Sequence, residues 1–171
     1  MNDILPDLLM PGLYLVICGS AAGTVSARRG AYYAGPGNKF WRILVETGLT
    51  PRLLRPDEFP LLLGFGIGLT DLAKHASGPD TAIRRDHYNP EGLAARIAAC
   101  QPRVLAFNGK RAASVFLRAT SGALDYGVQP KLADLPPIVV LPSTSGLASG
   151  NWDARHWHDL AALVLSPERL P

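Results

Sequence analysis

The apolar run Leu13–Cys18, LYLVIC, passes without a break into Gly19-Ser20-Ala21-Ala22-Gly23, and no other stretch constrains the fold as much. A run this short cannot span a membrane. Its lack of polar alternation suits a strand covered on both faces, as in a parallel sheet. The small residues that follow keep side chains away from the backbone, so a flat or anionic ligand can approach it. An open α/β sheet binds its ligands at such a strand end. The aromatic, Gly/Pro-rich segment AYYAGPGNKFW, residues 31–41, comes next and supplies walls for a pocket.

Prolines and glycines punctuate the rest of the chain at intervals that suit alternating strands and helices. After a first strand at Leu13–Cys18, the pattern predicts a helix over Asn38–Glu46 ended by Gly48 and a short helix over Phe59–Leu63. A second strand follows at Phe65–Thr70. A helix over Pro90–Ala99 carries Leu93, Ala94 and Ile97 at helical spacing. Arg103–Phe107 then reads as a strand, Lys110–Ala119 as a helix, Ile138–Leu141 as the fourth strand and Trp152–Leu165 as the last helix. Strands alternating with helices imply a mainly parallel four-stranded sheet covered on both faces. The length of 171 residues, 47% of them hydrophobic, fits one compact domain, residues 1–171.

Several function classes lose their residues at this point. Cys18 and Cys100 belong to no C-x-x-C pair, so a zinc ribbon or iron–sulfur cluster lacks ligands, and both read as buried thiols. His156 and His158 lie two apart on a predicted helix and face away from each other, which leaves no metal site. No metal or redox cofactor is expected. The N-terminus MNDILPDLLMPGL has no basic region, carries two aspartates and is broken by prolines, unlike a signal peptide. The expectation is a cytoplasmic monomer with no membrane contact.

The net charge of +3 is mild, but Arg28-Arg29, Arg84-Arg85 and Lys110-Arg111 are paired in loops or helix starts, where a protein can meet a polyanion. Four strand ends then carry unusual chemistry: Gly19–Gly23, Thr70–Asp71, Asn108–Lys110 and Pro142–Ser149. Converging on one crevice, they offer backbone donors, an acid, an amide and an apolar tip, Leu147.

The segments PGLYLVICGSAAG, AYYAGPGNKFWRIL, GIGLTDL, FNGKRA and LPSTSGL occur in an order that resembles the mismatch-specific uracil/thymine DNA glycosylases of the uracil-DNA glycosylase superfamily. The resemblance runs from about Pro11 to the last helix. It implies a three-layer α/β/α sandwich around a short central, mainly parallel sheet. The implied activity is hydrolysis of the bond joining a flipped uracil to deoxyribose, and the implied partner is uracil-containing DNA, single- or double-stranded. By resemblance, Tyr33 stacks on the flipped base and Leu147 enters the duplex behind it. A closing core aromatic and a loop-core leucine are the plain alternatives. Such wedges and stacking faces belong to enzymes that extrude a base.

Among the remaining positions, backbone N–H groups around Gly19, Ser20 and Ala21 are placed to stabilise the departing uracil anion. Asn108 either meets a pyrimidine edge or closes its turn. Lys110, Arg28, Arg29, Ser143, Ser145 and Gly146 are assigned to the DNA backbone, with solvated surface residues as the alternative. One departure from the resembled family matters: its glycine turn carries an asparagine that positions water, and here that position is Ala21. Asp71 is the substitute, either orienting or deprotonating water, ionised by nearby arginines and solvent, or merely capping a turn. His75 is read as a surface residue, a partner of Asp71 or a DNA contact. Hypoxanthine and mismatched thymine are alternative lesions. Non-catalytic binding of uracil-DNA is an alternative class, and a nucleotide-dependent enzyme a weaker one, because the glycine segment lacks the G-x-G-x-x-G and P-loop spacings.

Overall fold

The computed structural model describes residues 1–166. Five strands form one sheet: β1 Leu15–Ala22, β2 Ile67–Ser77, β3 Val104–Asn108, β4 Gly127–Val128 and β5 Ile138–Leu141, in the order β2-β1-β3-β5-β4. The first four neighbours in that order pair in parallel; β4 is antiparallel to β5. The expected four-strand sheet is therefore corrected to five. The added strand is two residues long, too short to show any alternation, and exists through its pairing with Val139 and Val140.

Helices cover both faces. On one, Leu15, Ile17 and Leu69 pack against α2 (Phe40–Glu46) and α5 (Ala154–Leu165), with Phe40, Trp41 and Trp157 fully or nearly buried. On the other, Val16, Cys18, Leu105 and Phe107 pack against α3 (Pro90–Cys100) and α4 (Lys110–Phe116). Residues 15–18 are thus buried whichever way they point, which is why the run lacks polar alternation. Local chemistry sets the helix starts: the Asn89 side chain accepts from the Gly92 N–H ahead of α3, with Pro90 at the first position, and Asp153 accepts from the Arg155 N–H ahead of α5.

Among the boundaries that differ from the sequence reading, two move the site. β1 continues through Ala22, so Ser20 and Ala21 are strand residues; the turn is Gly23, which leads into a short helix, α1 (Thr24–Arg29). β2 likewise continues to Ser77, which puts Asp71 inside a strand and not after one. Pairing accounts for both extensions: Gly19 sits opposite Asp71 and Ala21 opposite Ala73. The outer edge of β2 is covered by the N-terminal segment. Leu8 and Leu69 exchange backbone hydrogen bonds of 2.9 and 3.0 Å, and the Ile4 N–H donates to the Lys74 carbonyl at 2.8 Å.

Candidate functional site

β2 and β3 lie on opposite sides of β1, so the chain reverses its direction of sheet growth there, and the carboxyl ends of β1 and β3 diverge into a crevice. β1 pairs with β3 only as far as Cys18–Phe107. Beyond that point, the backbone groups of residues 19–22 that face β3 leave the ladder and front the opening. The result is a cleft of about 880 Å³. Gly19, Ser20, Ala21, Tyr33, Asn108, Lys110, Ser143, Ser145, Gly146 and Leu147 all line it. Arg28 and Arg29 do not: they lie exposed in the last turn of α1, whose first turn borders the cleft. The Arg84 guanidinium is bonded to Asp86, also away from the cleft.

Tyr33 is held by its neighbours and by an unusual backbone. Its φ of 52° lies in the left-handed region that non-glycine residues rarely adopt. The Ala34 N–H donates to Ser26 Oγ at 3.0 Å, and Trp41 Nε1 donates to the Tyr32 carbonyl at 3.2 Å, so both flanks of Tyr33 are pinned. Phe40 stacks on its ring with centroids 3.9 Å apart. The ring edges into the cleft while the hydroxyl is buried, and that hydroxyl has no hydrogen-bond partner among the described residues.

The Leu147 loop is a built feature. Asn108 Nδ2 donates to Thr144 Oγ1 at 2.9 Å, while Asn108 Oδ1 accepts from the Thr144 N–H at 3.0 Å. This two-point latch is a role the sequence reading did not offer for Asn108: its amide holds the Leu147 loop while the residue still lines the cleft. The Thr144 carbonyl accepts from the Lys39 N–H at 2.9 Å, and Gly146 packs against the backbone of Gly37. Ser145 Oγ accepts from the Leu147 N–H at 3.2 Å. On this support Leu147 is 88% exposed, which rules out the loop-core alternative. A fixed, exposed leucine on a polar loop is a contact waiting for a partner. Lys110 opens α4 on the rim, with its Nζ 4.4 Å from the centre of the Tyr126 ring.

Asp71 lies just under the floor. A Cβ placed on Gly19 would fall 2.7 Å from Asp71 Oδ1 and 3.3 Å from the Tyr33 hydroxyl, so the carboxyl leans into the space that glycine leaves open. It is 4% exposed. The expectation of an acid kept ionised by arginines and solvent is corrected. Burial raises its pKa to about 7; Lys74 and Arg96 pull it down, Asp7 pushes it up, and burial wins. The two cations fail to rescue it because they are already engaged. Asp7 contacts Lys74 Nζ at 2.7 Å and Arg96 Nε at 3.2 Å, and also accepts from Thr70 Oγ1 at 2.6 Å. The Asp71 backbone carbonyl accepts from Arg96 at 3.0 Å. Among the described residues no backbone N–H donates to the carboxyl, so the turn-capping alternative is not the one realised. His75 is no partner of Asp71: its ring faces the Asn2 carbonyl and Asp3.

A family model described as the uracil DNA glycosylase superfamily matches residues 6–163. The chain belongs to the uracil DNA glycosylase superfamily. Its fold is shared with a solution NMR structure of a "putative Uracil DNA glycosylase from Methanosarcina acetivorans", at a TM-score of 0.68 and 22% identity, covering 95% of this chain and 97% of that one. The superfamily acts on DNA, and a DNA partner fits a cleft placed at the carboxyl ends of β1 and β3. Sequence reasoning missed several wall residues of this superfamily member, among them Asp80, Tyr126 and Asn38. Asp80 accepts from Ser20 Oγ, and Arg111, read beforehand only as half of a basic pair, also lines the cleft. Asp80 gave no signal, because the loop that brings it back to β1 follows an unforeseen extension of β2. Cys18 and Cys100 are buried free thiols, and among the described residues no group of three metal-ligating side chains occurs.

Proposed function

We propose that this protein hydrolyses the N-glycosidic bond of uracil in DNA after extruding the nucleotide, and leaves an abasic site. The observation that carries the reading is the meeting of the Gly19 notch, the Tyr33 ring and the exposed Leu147 in one cleft, with a buried carboxyl directly beneath. An extruded base needs a stacking face and a snug floor, and the gap it leaves in the duplex needs a filler. Tyr33 is assigned to stacking and Leu147 to the gap. Freed backbone N–H groups at residues 19–22 face the uracil oxygens as charge develops on the departing base. Lys110 and the serines at 143 and 145 meet phosphates, which fixes register without reading sequence. Asp71 takes a proton from the attacking water, the duty that Ala21 has no group to perform. Water is the only other reactant, so the reaction as written calls for no cofactor.

Oligonucleotides containing uracil, thymine or hypoxanthine, single- and double-stranded, test the reading when incubated with excess enzyme and cleaved at abasic sites. Uracil strands are expected to be cut fastest. Ala21 favours a second reading, binding without catalysis, and tight binding of uracil-DNA with no base released over hours would establish it. Leu147→Ala is expected to slow release from duplex by about tenfold and from single strands by less than about twofold, since only a duplex has a gap to fill. Equal losses would remove the wedge. Asp7→Asn keeps an acceptor for Thr70 but frees Lys74 and Arg96 to act on Asp71. The acid limb of the rate profile is then expected to move to lower pH, and an unmoved limb would show that the two cations do not govern the acid.

A further inference from the structure

Two unfavourable features coincide on Tyr33. Its backbone sits at a φ of 52°, and its hydroxyl is buried without a hydrogen-bond partner among the described residues. Apart from Arg96 Nε, which has Asp7 as an ion partner at 3.2 Å, no other described side-chain atom is both buried and unpartnered. A buried polar group left unpaired is destabilising, and strain of both kinds persists where function requires it. The direction of the hydroxyl matters as much as its isolation. It borders the same notch as Asp71 Oδ1: the Cβ that Gly19 lacks would lie 3.3 Å from one oxygen and 2.7 Å from the other. Gly19 and Tyr33 both line the cleft, and Asp71 lies behind them. Burial, and after it the charge of Asp71, push the hydroxyl's pKa well above the usual tyrosine value, and the nearby Asn108 amide offsets this only in part.

We propose that the Tyr33 hydroxyl, and not only its ring, takes part in the hydrolysis by holding the attacking water against the Asp71 carboxyl. The inference rests on the glycosylase reading above. A buried water needs two to four polar partners. Tyr33 and Asp71 supply two. The hydroxyl donates to the water oxygen, and the water donates one proton to the ionised carboxylate. Its remaining lone pair is left for the sugar carbon. On attack the water oxygen bonds to C1′ and the bond from C1′ to the base nitrogen breaks. The electron pair of that bond leaves with uracil, and the water proton passes to Asp71. One tyrosine would thus serve the base with its ring and the water with its oxygen.

Tyr33→Phe separates the two duties, because the ring and its stacking on Phe40 remain. Uracil release at enzyme excess is measured for wild type, Tyr33→Phe, Asp71→Asn and the double variant, together with binding to uracil duplex and thermal melting. Tyr33→Phe is expected to slow release by at least about tenfold, to bind within about twofold of wild type, and to melt at the same or a higher temperature, because an unpaired hydroxyl has been removed. The double variant is expected to be no slower than Asp71→Asn alone, since both act on one water. A Tyr33→Phe rate equal to wild type, losses that multiply in the double variant, or a rate loss accompanied by a lower melting temperature would each overturn the inference. Wild type that releases uracil while Tyr33→Phe keeps full rate removes only the hydroxyl; wild type that releases none removes the glycosylase reading together with it.

Discussion

Asparagine in place of Asp71 is expected to slow single-turnover uracil release at pH 8 by about a hundredfold, within the range usual for removal of a general base, with DNA binding nearly intact. The pH profile carries the sharper test. Burial raises the Asp71 pKa to about 7, so the wild-type rate should climb with pH until about 7 and level off above it, as the carboxyl ionises. The variant should have no such limb. Stability must move the other way. The unfolded carboxyl titrates near 3.8 and the native one near 7, so between those values the native state holds a proton that the unfolded state has lost. Wild-type stability therefore falls as pH rises through that window and stays lower above it, by about 1.4 kcal/mol for each tenfold difference in proton affinity between the two states. Asp71→Asn removes the penalty: it should melt above wild type at pH 8 and close to it at pH 4. Melting curves at the two pH values, set beside the rate profile, check both signs. Unchanged kinetics would take Asp71 out of the mechanism, whatever the melting curves show.

That opposition of activity and stability was not legible in the sequence, although the residue was. Asp71 stood out as a lone carboxylate after an apolar strand, and its proximity to the glycine segment followed from a parallel sheet. Its state did not follow. The sequence places Asp71 near arginines, but the Asp7 side chain, brought across by an N-terminal segment lying on the edge of β2, engages Arg96 and Lys74 first. The main strands were readable for a related reason. Residues 15–18, 104–107 and 138–141 are buried on both faces and so appear as unbroken apolar runs. Where strands continue in small or polar residues, as at Ser20-Ala21-Ala22 and Lys74–Ser77, pairing with distant segments, β1 with β2 and Lys74 with Ile4, keeps them extended, and pairing leaves no local mark. Leu147 is the opposite case. Its serine and glycine neighbours have nothing to bury it with, so its exposure could be read directly. The latch that holds its loop, Asn108 on Thr144, joins residues 36 apart in the chain and was not visible beforehand.

A single methyl group at Gly19 should do nearly as much damage as the loss of the acid. The Gly19 backbone does not lie in the left-handed region, so alanine adds no backbone strain there and the substitution tests space alone. Its Cβ would fall 2.7 Å from Asp71 Oδ1, closer than side chains tolerate, and 3.3 Å from the Tyr33 hydroxyl. Asp71 has little room to retreat, since it is itself 4% exposed, Leu69 and Ala73 two residues to either side are buried, and its own carbonyl is tied to Arg96. Gly19→Ala is therefore expected to cut single-turnover release by about fiftyfold or more. Gly64→Ala, where a Cβ meets nothing within 4 Å, serves as a control expected within about twofold of wild type. If the damage passes through the carboxyl, adding Gly19→Ala to Asp71→Asn should cost almost nothing further, because the group being displaced has already lost its function. Binding to uracil duplex locates the fault. The rim residues Lys110 and Leu147 are untouched, so affinity should change by no more than a few fold. A Gly19→Ala variant that loses affinity and rate in the same proportion would instead place the methyl in the path of the base, and Gly19 would then be the floor on which uracil rests and not the opening through which the acid acts.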